Sequence, residues 1–168
     1  RKYGAQHGLQ GQIQAIFRYK DDLYVGTNAG LFIQRKLQGK RDTVFELLLD
    51  SPNRSHDLTE VDGDLFAATP YGVHIIKDDR AIPLPPGWPR VNAIVPSRLD
   101  STRAYLAPRN GLITIRKIDG TWERFDVVLD LKADISSIAQ EANGTLWLAT
   151  VGHGVGRIDA SQLYPEPV

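Results

Sequence analysis

A chain of 168 residues with 42% hydrophobic and 24% charged residues can bury a sizeable core, and its composition is ordinary for a folded domain. Lys and Arg number 20 and Asp and Glu number 20, so the basic field that a nucleic-acid or anionic-membrane binder needs is missing. Cysteine is absent, which excludes disulfides and thiolate metal sites, and no run approaches the roughly 18 apolar residues of a membrane span.

In chain order, Ile13 and Ile16 mark a first extended segment. "DLYVGTNAGLFI" (22–33) follows as two apolar runs around a turn, and "TVFELLL" (43–49) is a further extended segment. The pattern restarts weakly at Ser55 and Leu58, continues in "DLFAATPYGVHI" (64–75), and ends in "AIPLP" (81–85). A third copy has Val91 and Ile94, "AYLAPRNGLITI" (104–115) and "TWERFDVVL" (121–129). A fourth has Ile135 and Ile138, then "TLWLATVGHGVGRI" (145–158), with no further extended segment after Asp159. Arg1 to Ala5 could supply the outer strand that this last copy lacks. The chain opens on Arg1 rather than Met and closes on "PEPV", a linker-like tail, so a piece of a longer protein is expected.

The turn glycines Gly30, Gly72, Gly111 and Gly154 are separated by 42, 39 and 43 residues. Four short strands per unit of about 40 residues is the pattern of a β-propeller blade. The runs "LYVG", "LFAA", "AYLA" and "LWLA" are apolar at nearly every position, which predicts burial on both faces, as in a blade between two blades. The expected fold is all-β, with antiparallel four-stranded blades in about four repeats, at 11–50, 55–86, 90–130 and 134–160, and an exit linker at 161–168. The cluster Gly152-His153-Gly154-Val155-Gly156 follows a strand but continues as a strand. No helix N-terminus follows to hold a pyrophosphate, so it reads as a hairpin turn rather than a dinucleotide loop.

"ISSIAQEANGTLWLATVGHGVGRID" (135–159) resembles the two-component regulator propeller repeat: an Ile-x-x-Ile pair, then Asn-Gly-x-Leu-Trp-x-x-Thr, then a glycine and a strand. "YGAQHGLQGQIQAI" (3–16) looks like that family's junction between blades. The first copy carries Tyr24 where the Trp stands, the second Phe66, and the third Pro108 in place of the Thr. The resemblance implies a part of a larger, seven- or eight-bladed propeller. It also implies a non-catalytic, ligand-sensing, extracytoplasmic or periplasmic module of a membrane-anchored bacterial signalling protein, with a kinase, diguanylate cyclase or similar output. It supplies no catalytic residues.

In a propeller the turns between second and third strands share a face with the blade-to-blade loops, where ligands usually bind. Those turns carry Asn28, Tyr71, Arg109 with Asn110, and His153, four different chemistries at equivalent positions. The loop "IPLPPGWPR" adds Trp88 and Arg90, its prolines stiffening the chain around a ring suited to stacking on a sugar or gripping a peptide. These seven residues are the candidate ligand contacts. Thr27, Thr69 and Thr150 read as structural, their hydroxyls bonding turn backbone. Trp122 and Trp147 read as packing between blades, and His74 as a surface strand residue. Asp21-Asp22 and Asp78-Asp79 read as freely solvated hairpin residues. No catalytic set, metal site or cofactor motif is expected, since the histidines are irregularly spaced. Partners are then a small-molecule or glycan ligand, a protein, or a second copy in a homodimer, without nucleic acid or membrane insertion. The alternative functions are a protein-interaction scaffold and, less favoured, a metal-assisted lyase or hydrolase using His7, His56 and His153.

Overall fold

The structure, a computed structural model, describes residues 2–36, 43–85, 88–129 and 133–163. Their strands form four antiparallel sheets in chain order. Blade 1 holds β1 (Ile13–Tyr19), β2 (Asp22–Thr27), β3 (Gly30–Lys36) and β4 (Thr43–Leu47). Blade 2 holds β5 (Asp57–Val61), β6 (Asp64–Thr69), β7 (Gly72–Lys77) and β8 (Arg80–Pro83). Blade 3 holds β9 (Val91–Pro96), β10 (Arg103–Pro108), β11 (Leu112–Ile118) and β12 (Thr121–Leu129). Blade 4 has three strands, β13 (Ile135–Gln140), β14 (Leu146–Thr150) and β15 (Gly154–Ile158), followed by the short helix α1 (Ala160–Leu163). Within each blade every strand pairs with the next in chain order, so every blade is a meander and the chain is built of propeller blades. Three blades share one irregularity: the first strand gains a residue against the end of the second, at Ile13/Ala15, at Ala107/Pro108 and at Ile135/Ser137. Such a bulge bends the strand next to the turn that follows.

The chain divides into two compact units, residues up to 60 with 64–88, and residues 61–63 with 89 onward. In the first, blades 1 and 2 pack through Tyr19, Tyr24, Leu31, Ile33 and Leu48 against Leu58, Leu65, Ala67, Ile76 and Ala81. The opposite side of blade 1 is closed by the chain's start. Leu9 and Tyr3 cover Val25, Phe32 and Phe45, and Tyr3 meets the Phe45 ring edge-on at 5.9 Å. Residues 2–4 therefore form no strand, and Ala5–His7 make a single 3₁₀ turn, contrary to the outer strand expected of the first five residues. Arg1 itself lies outside the described residues. Ile13 (54% exposed) and Ile16 (64%) lie beyond this cover.

In the second unit, Tyr105, Ala107 and Leu112 of blade 3 pack on Ile135, Ile138, Leu146, Leu148 and Ile158 of blade 4 and on Leu163 of α1. The buried Arg103 donates from Nη1 to the Leu163 carbonyl at 2.9 Å, tying α1 to the β9–β10 hairpin. Residues 164–168 of the expected exit linker lie outside the described residues.

The second strands of blades 1, 2 and 3 are buried almost throughout, as a run apolar at every position requires. In blade 4 β14 buries only Leu146 and Leu148 and turns Trp147 outward, 38% exposed. The Trp147 indole N–H donates to Glu141 Oε1 at 2.7 Å, and the Arg157 guanidinium stands 5.8 Å from the ring centre. Trp147 thus does not pack between blades as expected, because its face of the sheet is not the one laid on blade 3. Trp122 is buried.

Candidate functional site

The site begins with the turn between β6 and β7. Thr69 ends β6 with its hydroxyl fully buried. That hydroxyl donates to the Gly72 carbonyl at 2.8 Å and accepts the Tyr71 N–H at 3.1 Å. One side chain thereby satisfies both polar ends of a two-residue turn. Gly72 follows at φ 114°, a conformation that a side chain would strain. The result pushes Tyr71 out, with 71% of its surface exposed. Thr27 makes the same pair of bonds in blade 1, to the Gly30 carbonyl and from the Ala29 N–H, each at 3.0 Å. Thr150 bonds the Gly154 carbonyl at 2.6 Å across a turn one residue longer. The threonines are structural, as expected.

Tyr71 does not stand alone. After β8, the Leu84 N–H bonds the Val73 carbonyl at 2.9 Å, which folds the proline run back along the start of β7. Pro83, Leu84 and Pro85 then form one wall and floor with Val73 and Gly72, and Trp88, half-buried, closes the far side. Between the two aromatic side chains lies a groove of about 330 Å³. No lining residue is charged. An uncharged groove between a Tyr and a Trp offers apolar faces and two ring hydrogen-bonding groups, which suits a neutral ligand with one flat apolar side. The volume lies near the small end of the range for ligand pockets.

Of the seven candidate contacts, Tyr71 and Trp88 come together. Asn28 occupies the equivalent turn of blade 1, where its carboxamide oxygen accepts the Gln12 N–H at 2.7 Å and so secures the entry to β1. The other four belong to the second unit. Arg109 and Asn110 are exposed on the β10–β11 turn, and Arg109 stands 4.0 Å from an Asp134 carboxylate oxygen. His153 is exposed on the β14–β15 turn with Nδ1 3.0 Å from the Val151 carbonyl, and Arg90 is exposed just before β9. His7 accepts the Gly4 N–H at Nδ1 (3.2 Å) in the opening 3₁₀ turn. Among the described residues no group of three or more His, Asp or Glu side chains is placed to hold a metal ion.

Two expectations are corrected here. His74 is not a surface residue. It is 7% exposed, because its register partner Ala67 lies on the side of β6 that packs on blade 1. Burial lowers the pKa of its imidazole below the usual histidine value, since the charged form loses hydration. Nor are Asp22 and Asp79 of the hairpin pairs freely solvated. Arg35 of blade 1 bonds Asp79 of blade 2 and has Asp22 and Glu46 oxygens at 3.9 and 3.7 Å. Reading the sequence also missed Val73 and Leu84 as groove walls, since both look like ordinary strand and loop positions.

The chain matches no protein-family model, and no curated protein matches it. Solved structures do match. The extracellular domain of a protein described as a one-component system, BT4673 of Bacteroides thetaiotaomicron, is 18% identical with a TM-score of 0.64, over 90% of this chain and 21% of that one. The extracellular domain of BT3049 from the same organism, described as a hybrid two-component system, is 20% identical with a TM-score of 0.61, over 92% and 24%. Regucalcin from Agrobacterium tumefaciens, a calcium-binding protein, is 20% identical with a TM-score of 0.64, over 92% and 59%. The chain thus spans about a fifth to a quarter of the two extracellular domains. At these identities the likeness is one of fold, and it agrees with the blades described above. Among the described residues no helix is long and apolar enough to cross a membrane.

Proposed function

We propose that the chain is a non-catalytic, ligand-sensing part of a larger propeller in the extracytoplasmic portion of a bacterial signalling protein, and that Tyr71 and Trp88 grip its ligand. The observation that carries this reading is the groove of about 330 Å³ between the two aromatic side chains, walled by prolines and free of lining charge. The fold likeness to extracellular domains described as one- and two-component systems, and the repeat at 135–159, support the setting. The ligand is a neutral small molecule or glycan fragment, with one ring stacked against Trp88 and Tyr71. Asn28 on the blade 1 turn, and separately Arg90, Arg109, Asn110 and His153 on the turns and loops of the second unit, are proposed as further polar ligand contacts, each within its own unit.

The test is a panel of neutral mono- and disaccharides titrated against the chain, read by tryptophan fluorescence and thermal shift. A binder is expected that loses at least about tenfold in affinity in Tyr71→Ala and in Trp88→Ala, equivalent to about 1.4 kcal/mol each. No thermal stabilisation by any sugar, together with tight capture of a protein partner, would replace this reading by the interaction scaffold.

A further inference from the structure

We propose that His74 is a pH-sensitive positioning residue of the Tyr71–Trp88 groove. Neutral, it leaves the Thr69 hydroxyl holding the Tyr71 turn; charged, it draws that hydroxyl away and frees Tyr71. The proposal rests on the groove being the ligand site.

Three observations carry it. First, His74 Nδ1 lies 3.5 Å from Thr69 Oγ1, in the buried interior of blade 2. Thr69 is the same hydroxyl that bonds the Gly72 carbonyl and the Tyr71 N–H. Second, His74 is the register partner of Pro83, and its chain neighbour Val73 lines the groove along with Pro83. A shift of the histidine is therefore felt at the groove wall. Third, the fold does not require a histidine there. Opposite the residue two before the turn threonine, or two before Pro108 in the third blade, stand Phe32, Ile113 and Gly156. No other blade puts a titratable group where this one does.

The chemistry follows from what the hydroxyl can offer. It has one proton, spent on Gly72, and accepts the Tyr71 N–H. A neutral imidazole beside it donates weakly or not at all. An imidazolium carries donors on both ring nitrogens, and the second lone pair of the hydroxyl can accept one of them; this charge-assisted bond pulls the oxygen toward the ring and away from the Tyr71 N–H and the Gly72 carbonyl. The buried cation also has to recover hydration, either by moving out or by drawing water in. Either response loosens Pro70 and Tyr71.

The charged groups around His74 do not compensate for its charge. The strands of blade 2 carry Asp57 and Glu60 on β5, Asp64 on β6, Lys77 on β7 and Arg80 on β8, and the loop before β5 adds His56. The packed face of blade 1 brings the rings of Tyr19 and Tyr24, and its charges gather around Arg35 and Asp79 at the far end of β7. Burial alone depresses the imidazole. The turn is thus intact above the usual histidine value of about 6.5. It loosens as pH falls from there through the lowered folded value.

The experiment uses the whole, ligand-free chain and follows its amides and histidine rings by NMR from about pH 8 to about pH 5. The Tyr71 and Gly72 amides should move with the His74 ring at one midpoint below the usual histidine value. Tyr71 amide exchange, corrected for its intrinsic pH dependence, should rise at least about tenfold across it. His74→Phe, the residue blade 1 carries at Phe32, should abolish the transition and keep the Tyr71 amide protected throughout. His74→Gln serves the same purpose if the Phe variant fails to fold, and His56→Gln should leave the transition in place. A Tyr71 amide that stays still while His74 titrates, or a transition that survives loss of His74 or disappears with His56, overturns the proposal. Because no ligand is present, the result is independent of the sugar titrations: either experiment can fail while the other holds.

Discussion

The turn threonines make the sharpest energetic prediction, because equivalent positions differ in burial. Thr69→Val keeps the side chain's shape and deletes only the hydroxyl. The buried Gly72 carbonyl then loses its 2.8 Å donor, an unsatisfied group costing about 1–3 kcal/mol. The Tyr71 N–H is partly buried and can reach water, so its lost 3.1 Å bond costs about 0.5–1 kcal/mol. The new methyl group contributes roughly 0.8 kcal/mol in the other direction. The net loss is about 2 kcal/mol. Thr150→Val deletes one 2.6 Å bond in an exposed turn, where water takes over the Gly154 carbonyl, and should cost under about 0.5 kcal/mol. Blade 3 already has Pro108 at this position and keeps its hairpin without a hydroxyl. Urea titrations followed by circular dichroism should show a lower midpoint for Thr69→Val at unchanged slope, with Thr150→Val close to the parent chain. Equal losses in the two variants would show that the hydroxyl's bonds do not set the difference, and would remove Thr69 as the support of the Tyr71 turn.

Two further outcomes concern the second unit. Gln140 is buried and joins blade 4 to blade 3: Oε1 accepts the Arg98 N–H at 2.6 Å, and Nε2 donates to the Tyr105 hydroxyl and the Gly144 carbonyl, each at 3.2 Å. Gln140→Leu should cost about 2–3 kcal/mol and lower Tm by roughly 5–10 °C, and a shift under about 2 °C in calorimetry would contradict this. Asp100 governs acid sensitivity. Partial burial works to raise its pKa, but the Thr102 hydroxyl at 2.6 Å, the Thr102 N–H at 3.0 Å, and the guanidinium groups of Arg116 and Arg103 at 3.7 and 3.6 Å outweigh it and hold the carboxyl below its usual value. A depressed folded value stabilises the fold above the unfolded value of about 3.9 and loses that contribution as pH falls through the folded one. The stability gap between the parent chain and Asp100→Asn should therefore be full at neutral pH and shrink below about pH 4 in urea titrations; a gap independent of pH would refute the assignment.

How much of this is legible in the sequence depends on whether a property belongs to a position or to a neighbourhood. Strand and turn belong to positions. The turn glycines recur at nearly constant spacing, each β-turn needs its own special residue, and the runs between them are too short and too apolar for anything but strands. The turn threonines are legible for the same reason, since a hydroxyl three or four residues before the turn glycine has turn backbone within reach wherever the hairpin sits. Whether a face is covered is a different question. "LWLA" and "LFAA" read alike, yet Phe66 is fully buried and Trp147 is half open, because burial is decided by what is laid against each side of the sheet. His74 shows the same effect in reverse. Alternation places it opposite Val73 and Ile75, but only the packing of blade 1 on the Ala67 side makes that position interior.

The groove sits between these cases. Tyr71 stands out because its turn has no reason of its own to present an aromatic ring, and Trp88 because three prolines in "IPLPPGW" stiffen the chain leading to it. Their meeting is set by one register, Pro83 opposite His74, and one backbone bond, Leu84 N–H to the Val73 carbonyl, which together bring the end of β8 alongside the start of β7. A one-residue slip in that pairing would send the proline run to the other side of the blade and leave Tyr71 without a partner. The site is therefore a consequence of strand pairing rather than of any motif. The same pairing sets His74 behind the groove wall, so the residue that makes the site sensitive to pH and the residues that form it are placed by a single structural event.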